Sequence, residues 1–330
     1  MRKEDYKIKV LVTGGAGYIG SHMVRMLIEH KNSVVVLDDL STGFQKSVLG
    51  ANIVIGSLCD KEFLDSVFAA NEFDVVMHFA GASLVSESVI NPAKYYSNNL
   101  IGTINLLNAL NKFEISNLVF SSSASVFGIP NYLPIDERHV QAPINPYGRS
   151  KSIIESILND YSIAYGIRSV SLRYFNAAGA SLDGKIGELH DPETHLIPLV
   201  LQAAKHDQEF IIFGDDYDTA DGTCIRDYIH VLDICDAHLL SANYLISGGE
   251  TCSYNLGNGN GYSTKQIVKV AEAVVRKKIK INIGPRRHGD PPVLISNSNK
   301  IKNDLAWVPK FFNIEDIINH AWAWEINSRF

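Results

Sequence analysis

Residues 7–20 read Lys-Ile-Lys-Val-Leu-Val-Thr-Gly-Gly-Ala-Gly-Tyr-Ile-Gly, and this stretch decides the fold. Lys7 to Thr13 is largely apolar and rich in Val and Ile, which is typical of a buried parallel strand. Helical apolar spacing follows over Ser21 to His30. Gly14, Gly17 and Gly20 lie between the two, where backbone N–H groups and a helix N-terminus bind a pyrophosphate. The stretch therefore predicts the first strand, loop and helix of a dinucleotide-binding fold.

A second strand is predicted from Ser33 to Leu37, and it ends in Asp38-Asp39. An acid about 20 residues past the glycine loop accepts a hydrogen bond from a ribose 2′-OH and repels a 2′-phosphate. The alternative is a pair of solvated turn aspartates, which the strand–loop–helix context disfavours. The pattern predicts NAD rather than NADP as the cofactor.

Strand and helix patterns then alternate through the first half of the chain. Strands are predicted at 53–55, 74–79, 117–121 and 168–174, and helices at 61–70, at 92–112 and from Asn145-Pro146. Repeated βα units of this length predict an α/β fold, a doubly wound parallel sheet of the Rossmann type. Ligands of such sheets bind beyond the carboxyl ends of the strands. We therefore expect Phe79-Ala80, Ser121 to Ser123 and Tyr174-Phe175-Asn176 to border one crevice.

The regular alternation of strand and helix patterns ends after Asn176. A long loop is predicted over 177–192, and short strands at 210–213, 253–256 and 279–283 mix with helices from near His195, Val231 and Ser263 and at 314–326. We predict an NAD-binding Rossmann domain over 1–176 and a smaller mixed α/β domain over 177–330, packed over the crevice. Some later segments are expected to return to the Rossmann core.

The composition of the 330-residue chain excludes several functional classes. It is 46% hydrophobic and 20% charged with a net charge of −6, without the basic excess of a nucleic-acid-binding surface. No apolar run approaches a membrane span, and the charged start Met1 to Tyr6 does not resemble a signal peptide. The four cysteines lack metal-ligand spacing and fit a reducing compartment. We expect a cytoplasmic protein with no metal ion, nucleic acid or membrane partner.

Tyr147 and Lys151 form the candidate catalytic pair, because residues four apart on a helix share one face. A phenol ordinarily titrates near about 10, and a neighbouring ammonium is expected to lower that pKa towards the range of a general base. Chance also produces this spacing, so the pair depends on the cofactor site for its meaning. Ser123 lies two residues after the fifth predicted strand, where a serine either caps a turn or hydrogen-bonds a substrate hydroxyl.

Together these features resemble the extended short-chain dehydrogenase/reductase superfamily, over nearly the whole chain. Further segments narrow the resemblance to its UDP-glucose 4-epimerase family: residues 78–81, 121–128, 171–176, 221–231, 254–257 and Pro285-Arg286-Arg287-x-Gly289-Asp290. Dehydratases and decarboxylases of the superfamily typically carry an acid after the fifth-strand hydroxyl. Ala124 and Ser125 stand there instead, which favours reversible hydride transfer alone.

The resemblance implies a set of catalytic and cofactor-binding residues. Tyr147 is the implied base for the C4 hydroxyl of a UDP-hexose, assisted by Lys151 and Ser123. The implied NAD contacts are Gly14, Gly17, Tyr18, Ile19, Gly20, Asp38, Asp39, Ser57, Leu58, Phe79, Ala80, Gly81, Ser83, Asn98, Ser121, Tyr147, Lys151 and Tyr174. Related epimerases commonly have lysine at the position of Ser83 and aspartate at that of Ser57, so two cofactor contacts differ here.

The resemblance also implies a UDP-sugar site. Its residues are Ser123, Tyr147, Phe175, Asn176, His195, Leu196, Phe213, Arg226, Tyr228, Arg287, Asp290 and Leu294. Arginine forks suit a diphosphate, and an aspartate accepts hydrogen bonds from ribose hydroxyls. His195 replaces a usual asparagine. The alternative for Arg226-Asp227 is an ion pair at the surface.

Two functional questions stay open from the sequence. Leu294 stands where the family carries a tyrosine, which restricts the pocket to glucose and galactose, or a smaller residue, which admits an N-acetyl group. The chain is therefore expected to epimerise UDP-galactose and UDP-glucose, N-acetylated UDP-hexoses, or both. A non-catalytic module that senses dinucleotide is the remote alternative, since it does not require Tyr147, Lys151 and Ser123 together. The family resemblance implies a homodimer.

Overall fold

The structure is a computed structural model and describes residues 7–287 and 290–327. Gly289 of the predicted 285–290 motif lies outside them. The described strands are β1 Lys9–Thr13, β2 Ser33–Asp38, β3 Asn52–Ile55, β4 Val75–His78, β5 Asn117–Ser123, β6 Arg168–Tyr174, β7 Asn176–Ala178, β8 Glu209–Phe213, β9 Ile225–His230, β10 Cys252–Leu256, β11 Gly261–Ser263, β12 Lys280–Gly284 and β13 Val293–Leu294.

Most of the predicted helices are present among the described residues. They are α1 Tyr18–Glu29, α2 Lys61–Ala69, α3 Val85–Ile90, α4 Pro92–Tyr95, α5 Gly102–Lys112, α6 Pro146–Tyr165, α7 Leu196–His206, α8 Val231–Ile246, α9 Thr264–Val275, α10 Asn299–Leu305 and α11 Ile314–Asn327. The predicted helix over 92–112 is helical throughout, although a π-helical stretch, Tyr96–Ile101, separates its α-helical parts α4 and α5. None of the described helices combines the length and apolarity needed to cross a membrane.

The described residues form two compact units. Unit 1 contains residues 7–126, Asn145–Arg173 and Cys235–Tyr254, and unit 2 contains Phe127–Ile144, Tyr174–Ile234 and the described part of 255–327. The sequence suggested that some later segments return to the Rossmann core, and the segment Cys235–Tyr254 belongs to unit 1. The predicted division at residue 176 stays a prediction.

The main sheet has seven strands among the described residues, in the order β3-β2-β1-β4-β5-β6-β10. The pairings from β3 through β5 are parallel, as expected when helices connect successive strands. Thr13 pairs with both Leu37 and His78, so the carboxyl ends of β1, β2 and β4 lie level. The predicted fold class, a doubly wound Rossmann sheet with a second mixed α/β unit, is confirmed.

The core of unit 1 explains why its strands read as apolar runs. Leu11, Val76 and Phe120 are fully buried in one apolar cluster with side chains of α2, α5 and α6. Burying each such side chain stabilises the fold by about 1.5–3 kcal/mol. The same packing fixes where each strand ends, and therefore where the loop residues after it lie.

Unit 2 is built around β9, which pairs with β7 and β13 in parallel and with β11 antiparallel. A second small sheet pairs β8 with β12. The apolar faces of α7, α9 and α11 form its core, with Ile197, Val200, Ile267 and Ile318 buried. Five of the residues predicted to bind the UDP-sugar lie on these short strands: Asn176, Phe213, Arg226, Tyr228 and Leu294.

Candidate active site

The glycine loop of unit 1 is closely packed, and Gly14, Gly17 and Gly20 differ in the space around them. Gly14 has φ +72°, and a Cβ on it would lie 2.4 Å from the Ala80 nitrogen. A Cβ on Gly20 would lie 2.1 Å from the Gly14 carbonyl oxygen. At Gly17 the nearest atom would be 3.4 Å away, which is an ordinary contact. Packing therefore requires Gly14 and Gly20, whereas Gly17 leaves space at the helix start.

The N-terminus of α1 has the form of an anion site. Gly17 is the N-cap residue, no side chain caps the helix, and no acidic residue lies in its first turn. Backbone N–H groups at such an end favour a phosphate. Tyr18, Ile19 and Gly20, three predicted cofactor contacts, form this first turn.

Asp38 is fixed against the glycine loop. Its Oδ2 accepts a hydrogen bond from the Ala16 N–H at 2.8 Å, and its Oδ1 accepts one from the Leu40 N–H at 2.8 Å. Burial raises the pKa of this carboxyl, while these two N–H groups act to lower it. Asp39 instead accepts from the N–H and hydroxyl of Ser41, within its own turn. Of the two predicted acids, Asp38 lies at the loop.

The remaining predicted cofactor residues of unit 1 differ in their burial and contacts. Phe79 and Ala80 both donate their N–H groups to the Thr13 carbonyl oxygen at the end of β1. The Ser57 hydroxyl accepts from the Cys59 N–H, so it closes its own turn, and Leu58 is buried. Ser83 is exposed. Asn98 is partly buried within the π-helical stretch, and its predicted role stays a prediction.

Tyr147 is placed by the start of α6. The Asn145 side chain caps this helix by accepting a hydrogen bond from the Gly148 N–H at 2.8 Å, and Pro146 occupies its first position. Tyr147 therefore lies in the first turn, partly buried, with its ring edge-on to that of Tyr95 at 6.5 Å between centroids. Ser123, the last residue of β5, makes a side-chain hydrogen bond with Tyr147.

Lys151 lies one turn further along α6 and is only 5% exposed. Its Nζ donates a hydrogen bond to the Ser121 carbonyl oxygen at 2.9 Å and lies 5.9 Å from the Tyr147 ring centroid. Burial lowers the pKa of Lys151 to about 8, although the Glu155 carboxylate acts to raise it. The structure thus brings the three predicted catalytic residues together with Ser121.

The structure does not show the lowered Tyr147 pKa that the Tyr147–Lys151 spacing predicts. Burial raises the pKa of Tyr147 above its ordinary value, and a hydrogen bond from Ser123 acts to lower it. The Lys151 ammonium is directed to the Ser121 carbonyl rather than to the phenol oxygen. Desolvation of the phenolate therefore sets the direction of this pKa, and the effect of Lys151 on Tyr147 stays a prediction.

Sequence reasoning missed two buried residues that hold this site. Asn99 accepts from the Ala82 N–H at 2.8 Å and donates to the Ser150 hydroxyl at 3.0 Å, which joins the Gly81-Ala82 turn to α6. The π-helical stretch around Asn99 shifts side chains relative to an α-helix, and such stretches are frequent at functional sites. His78 bridges the Thr13 and Thr103 hydroxyls at 2.7 and 2.8 Å. His78 belongs to the 78–81 segment of the family resemblance, but the sequence assigned it no role.

Unit 1 fits a dinucleotide on these observations. The close approach at Gly14 and Gly20, the uncapped start of α1 and the fixed Asp38 carboxylate provide a pyrophosphate cradle and a ribose acceptor. These residues would hold the pyrophosphate and the adenosine ribose of NAD.

In unit 2, two of the predicted UDP ligands are paired with each other. The Arg226 guanidinium on β9 forms an ion pair with Asp290, and Leu294 lies opposite Arg226 in the β9–β13 register. The Arg287 guanidinium stacks over the Phe213 ring at 4.2 Å. Cation and aromatic face together form a platform of the kind that binds a planar, charged ligand.

The alternative of a surface ion pair between Arg226 and Asp227 is wrong. Asp227 is fully buried and accepts hydrogen bonds from the N–H groups of Asn258, Gly259 and Ser296 at 2.9–3.0 Å. Burial raises the pKa of Asp227 to about 6, against those three N–H donors. Asp227 therefore holds the turns beside β9 in place, and Arg226 forms its ion pair with Asp290 instead.

The other predicted substrate residues of unit 2 lie on neighbouring elements. Asn176 on β7 pairs with Tyr228 on β9, and Phe175 donates its N–H to the Leu256 carbonyl oxygen. Tyr174, a predicted NAD contact, is 8% exposed at the end of β6. His195 is the N-cap residue of α7, which begins at Leu196. Burial acts to lower the pKa of His195, but the Glu188 and Glu193 carboxylates outweigh it and raise that pKa to about 10.

Tyr217 is a further residue that sequence reasoning did not single out. Its hydroxyl is buried and makes no hydrogen bond to a described residue, and its ring supports the Arg286 guanidinium at 4.3 Å. Burial raises the pKa of this phenol, with the Asp290 carboxylate adding to the effect. A buried hydroxyl without a partner is costly, so Tyr217 is a candidate ligand contact beside Asp290.

Three comparisons place these features among known proteins. The model of the NAD dependent epimerase/dehydratase family matches residues 10–257. A UDP-glucose 4-epimerase of Streptococcus mutans is 50% identical over 319 residues, 96% of each chain. The crystal structure of a UDP-glucose 4-epimerase from Brucella ovis in complex with NAD matches with a TM-score of 0.93 at 44% identity, over 96% of this chain and 97% of that one.

A UDP-Glc/GlcNAc 4-epimerase from Campylobacter jejuni matches with a TM-score of 0.85 at 40% identity, over 97% of this chain and 99% of that one. The similarity to known proteins therefore covers both units.

Proposed function

Because the chain belongs to the NAD dependent epimerase/dehydratase family, we propose that it interconverts UDP-galactose and UDP-glucose by epimerisation at C4. The observation that carries the proposal is the grouping of Tyr147, Lys151 and Ser123 at the end of β5 and the start of α6. The relatives with this activity match nearly the whole chain, which supports an isomerase over a dinucleotide-sensing module.

Tyr147 acts as the base on the hexose. It removes the proton from the C4 hydroxyl as C4 is oxidised, and returns a proton when C4 is reduced. When bound, NAD supplies the acceptor for the C4 hydride and its later donor. Ser123 hydrogen-bonds the reacting hydroxyl, and the Lys151 ammonium stabilises negative charge near the phenolate.

The unit 2 residues hold the UDP half. Arg226 and Arg287 bind the diphosphate through charge-assisted hydrogen bonds, and Asp290 accepts from a ribose hydroxyl. Phe213 lies under the Arg287 guanidinium and supports a planar group. The anchored nucleotide restrains the 4-keto sugar, which turns about its bond to the diphosphate and presents its other face. Reduction of that face inverts C4.

A second substrate class is favoured by two observations. The chain resembles a UDP-Glc/GlcNAc 4-epimerase structure at 40% identity, and Leu294 is smaller than the tyrosine that restricts related pockets. UDP-GalNAc and UDP-GlcNAc are therefore candidate substrates as well. Turnover of all four UDP-hexoses by one preparation, followed by chromatography, decides between the two classes.

The direct test of the function is Tyr147→Phe, with Lys151→Met as a companion. Removing the base is expected to lower the turnover of UDP-galactose by roughly a hundredfold to ten-thousandfold. Tyr165→Phe on the same helix is the matched control, because Tyr165 is 56% exposed. An unchanged unfolding midpoint would establish that the variants fold. Near-normal turnover by Tyr147→Phe would refute the assignment of the base.

We also propose that the protein is a cytosolic homodimer. The family resemblance supports the dimer, and the absence of disulfides between the four described cysteines is consistent with a reducing compartment. Light scattering coupled to size-exclusion chromatography measures the oligomeric state, and a monomer at micromolar concentration would contradict the proposal.

A further inference from the structure

Two glutamates and two histidines converge just before α7. Glu188, His190, Glu193 and His195 each present one potential ligand atom, and these atoms all lie within 4.8 Å of one another. The proposed chemistry on the hexose uses none of the first three. We propose that this cluster binds a divalent transition-metal ion of the zinc type.

The distances between the ligand atoms fit a tetrahedral shell. His190 Nδ1 lies 3.5 Å from both Glu188 Oε1 and Glu193 Oε2. His195 Nδ1 lies 2.9 Å from Glu188 Oε1 and 3.0 Å from Glu193 Oε1. An ion bound at about 2.0–2.1 Å has ligand atoms separated by about 3.3 Å along each edge of its tetrahedron. The two distances to Glu188 Oε1, 3.5 and 2.9 Å, bracket that edge, and Glu193 presents a different oxygen to each histidine.

A hydrogen-bond network alone leaves this cluster incompletely satisfied. The His190 Nδ1 atom is buried and makes no hydrogen bond to a described residue, although two carboxylates face it. His195 Nδ1 faces two carboxylate oxygens at nearly equal distance, and one N–H donates fully to only one of them. An ion that accepts lone pairs from both rings and both carboxylates satisfies all four groups at once.

Burial and charge favour the same occupant. The side chains of Glu188 and Glu193 are only 7% and 5% exposed, and a divalent cation bound between them would offset their two negative charges. Imidazole and carboxylate ligands together suit Zn²⁺ and its neighbours among the first-row metals. Four protein ligands leave no open position in a tetrahedral shell, so the ion would be structural rather than catalytic.

The backbone around the cluster holds it in place. The Trp324 indole N–H on α11 donates to the Glu188 carbonyl oxygen at 2.9 Å, and Gly187 lies under the same ring. Glu193 Oε1 accepts from the N–H groups of Thr194 and His195 at 2.7 and 2.9 Å. These bonds orient the two carboxylates, as outer-shell partners do at metal sites.

The experiment uses the full-length, NAD-loaded protein. The chain is stripped with a chelator, titrated with Zn²⁺ against a chromophoric competitor, and titrated separately with Co²⁺, whose visible absorption reports tetrahedral coordination. We expect one equivalent per chain, an intense Co²⁺ spectrum, and an unfolding temperature that rises with metal and falls with chelator. This titration requires no variant. Failure of the chain to bind one equivalent of Zn²⁺ at micromolar concentration would overturn the proposal.

His190→Gln and Glu188→Gln test the ligand set. Each is expected to weaken Zn²⁺ binding by roughly a hundredfold or more, because losing a ligand costs at least as much as losing an outer-shell partner. His206→Gln, an exposed histidine at the end of α7, is the matched control and is expected to bind as the unaltered chain does. Equal affinity in all three variants would place the metal elsewhere and refute the site. Circular dichroism verifies that each variant is folded.

Discussion

Arg173 and Glu155 form a buried ion pair, with Nη2 2.6 Å from Oε2 and side chains only 6% and 7% exposed. Glu155 follows Lys151 by one helical turn, and its Oε1 accepts a 2.5 Å hydrogen bond from Ser122, the neighbour of Ser123. The pair therefore links β5, β6 and α6 directly behind the candidate catalytic residues.

Removing Arg173 is expected to destabilise the fold strongly. Arg173→Met leaves the Glu155 carboxylate buried without its partner, which costs about 3–5 kcal/mol of unfolding free energy. Lys112→Met is the control, because the Lys112–Asp65 pair is also short, at 2.8 Å, but Lys112 is 58% exposed. The control is expected to cost less than about 1 kcal/mol. Urea unfolding measures both, and similar losses would contradict the role of burial.

Replacing Gly17 or Gly20 by alanine is expected to impair different properties, NAD retention in the first case and stability in the second. Gly20→Ala forces a Cβ against the Gly14 carbonyl oxygen and is expected to lower the unfolding free energy of nucleotide-free protein by about 1–3 kcal/mol. Gly17→Ala has space and is expected to keep that stability, yet to retain less NAD because the methyl group meets the pyrophosphate. Retention of NAD by Gly17→Ala at the normal level would argue against the proposed cradle.

Ser123 is expected to set the pH dependence of turnover. Its hydrogen bond acts to lower the pKa of Tyr147, so Ser123→Ala raises that pKa further. Since the phenolate is the active form, the rising limb of the kcat profile moves to higher pH, and kcat at pH 7 falls by at least about tenfold. Ser123→Thr keeps the hydroxyl and is expected to restore the limb. If the rising limb of the kcat profile lies at the same pH in Ser123→Ala as in the unaltered chain, the Ser123 hydroxyl does not control the pKa of Tyr147.

Leu294 is expected to govern acceptance of the N-acetyl group. Leu294→Tyr enlarges the side chain opposite Arg226 and is expected to lower the ratio of kcat/KM for UDP-GalNAc to that for UDP-galactose by roughly tenfold or more. Val293→Ile, at the adjacent position of β13, serves as the control for altered strand packing. An unchanged ratio in Leu294→Tyr would mean that another residue limits the pocket.

Acid is expected to destabilise unit 1 through His78. Burial, and secondarily Lys151, lowers the pKa of His78 from 6.5 to about 3. The folded state therefore keeps the ring neutral, so stability is complete above pH 6.5 and is lost as pH falls towards 3. Between pH 7 and 5 this loss is about 2 kcal/mol.

His78→Gln is expected to flatten that dependence of unfolding free energy on pH, even where it lowers stability overall. His30→Gln, at an exposed position, is expected to leave the slope as it is in the unaltered chain. Urea unfolding at a series of pH values gives both slopes. The same slope in His78→Gln and the unaltered chain would show that other groups dominate.

Much of the fold was predictable because its causes are local in sequence. The apolar run before Gly14 and the helical spacing after Gly20 predict a strand and a helix, and repetition of such units restricts the sheet topology. The π-helical stretch at Tyr96–Ile101 was not predictable, because neither composition nor spacing distinguishes it from an α-helix. The partners of Asn99 come from residues 17 and 51 positions away, and spacing carries no information about them.

The sequence by itself determined which chemical groups the protein has: the glycine spacing, Asp38, the Tyr147–Lys151 pair and the arginines of unit 2. Tertiary structure alone decided how those groups are used. It directed the Lys151 ammonium to the Ser121 carbonyl, paired Arg226 with Asp290 rather than Asp227, and placed Glu188 and Glu193 around two histidines. The reason is that pKa values and pairings depend on burial and on distances of a few ångströms, which packing between distant segments establishes.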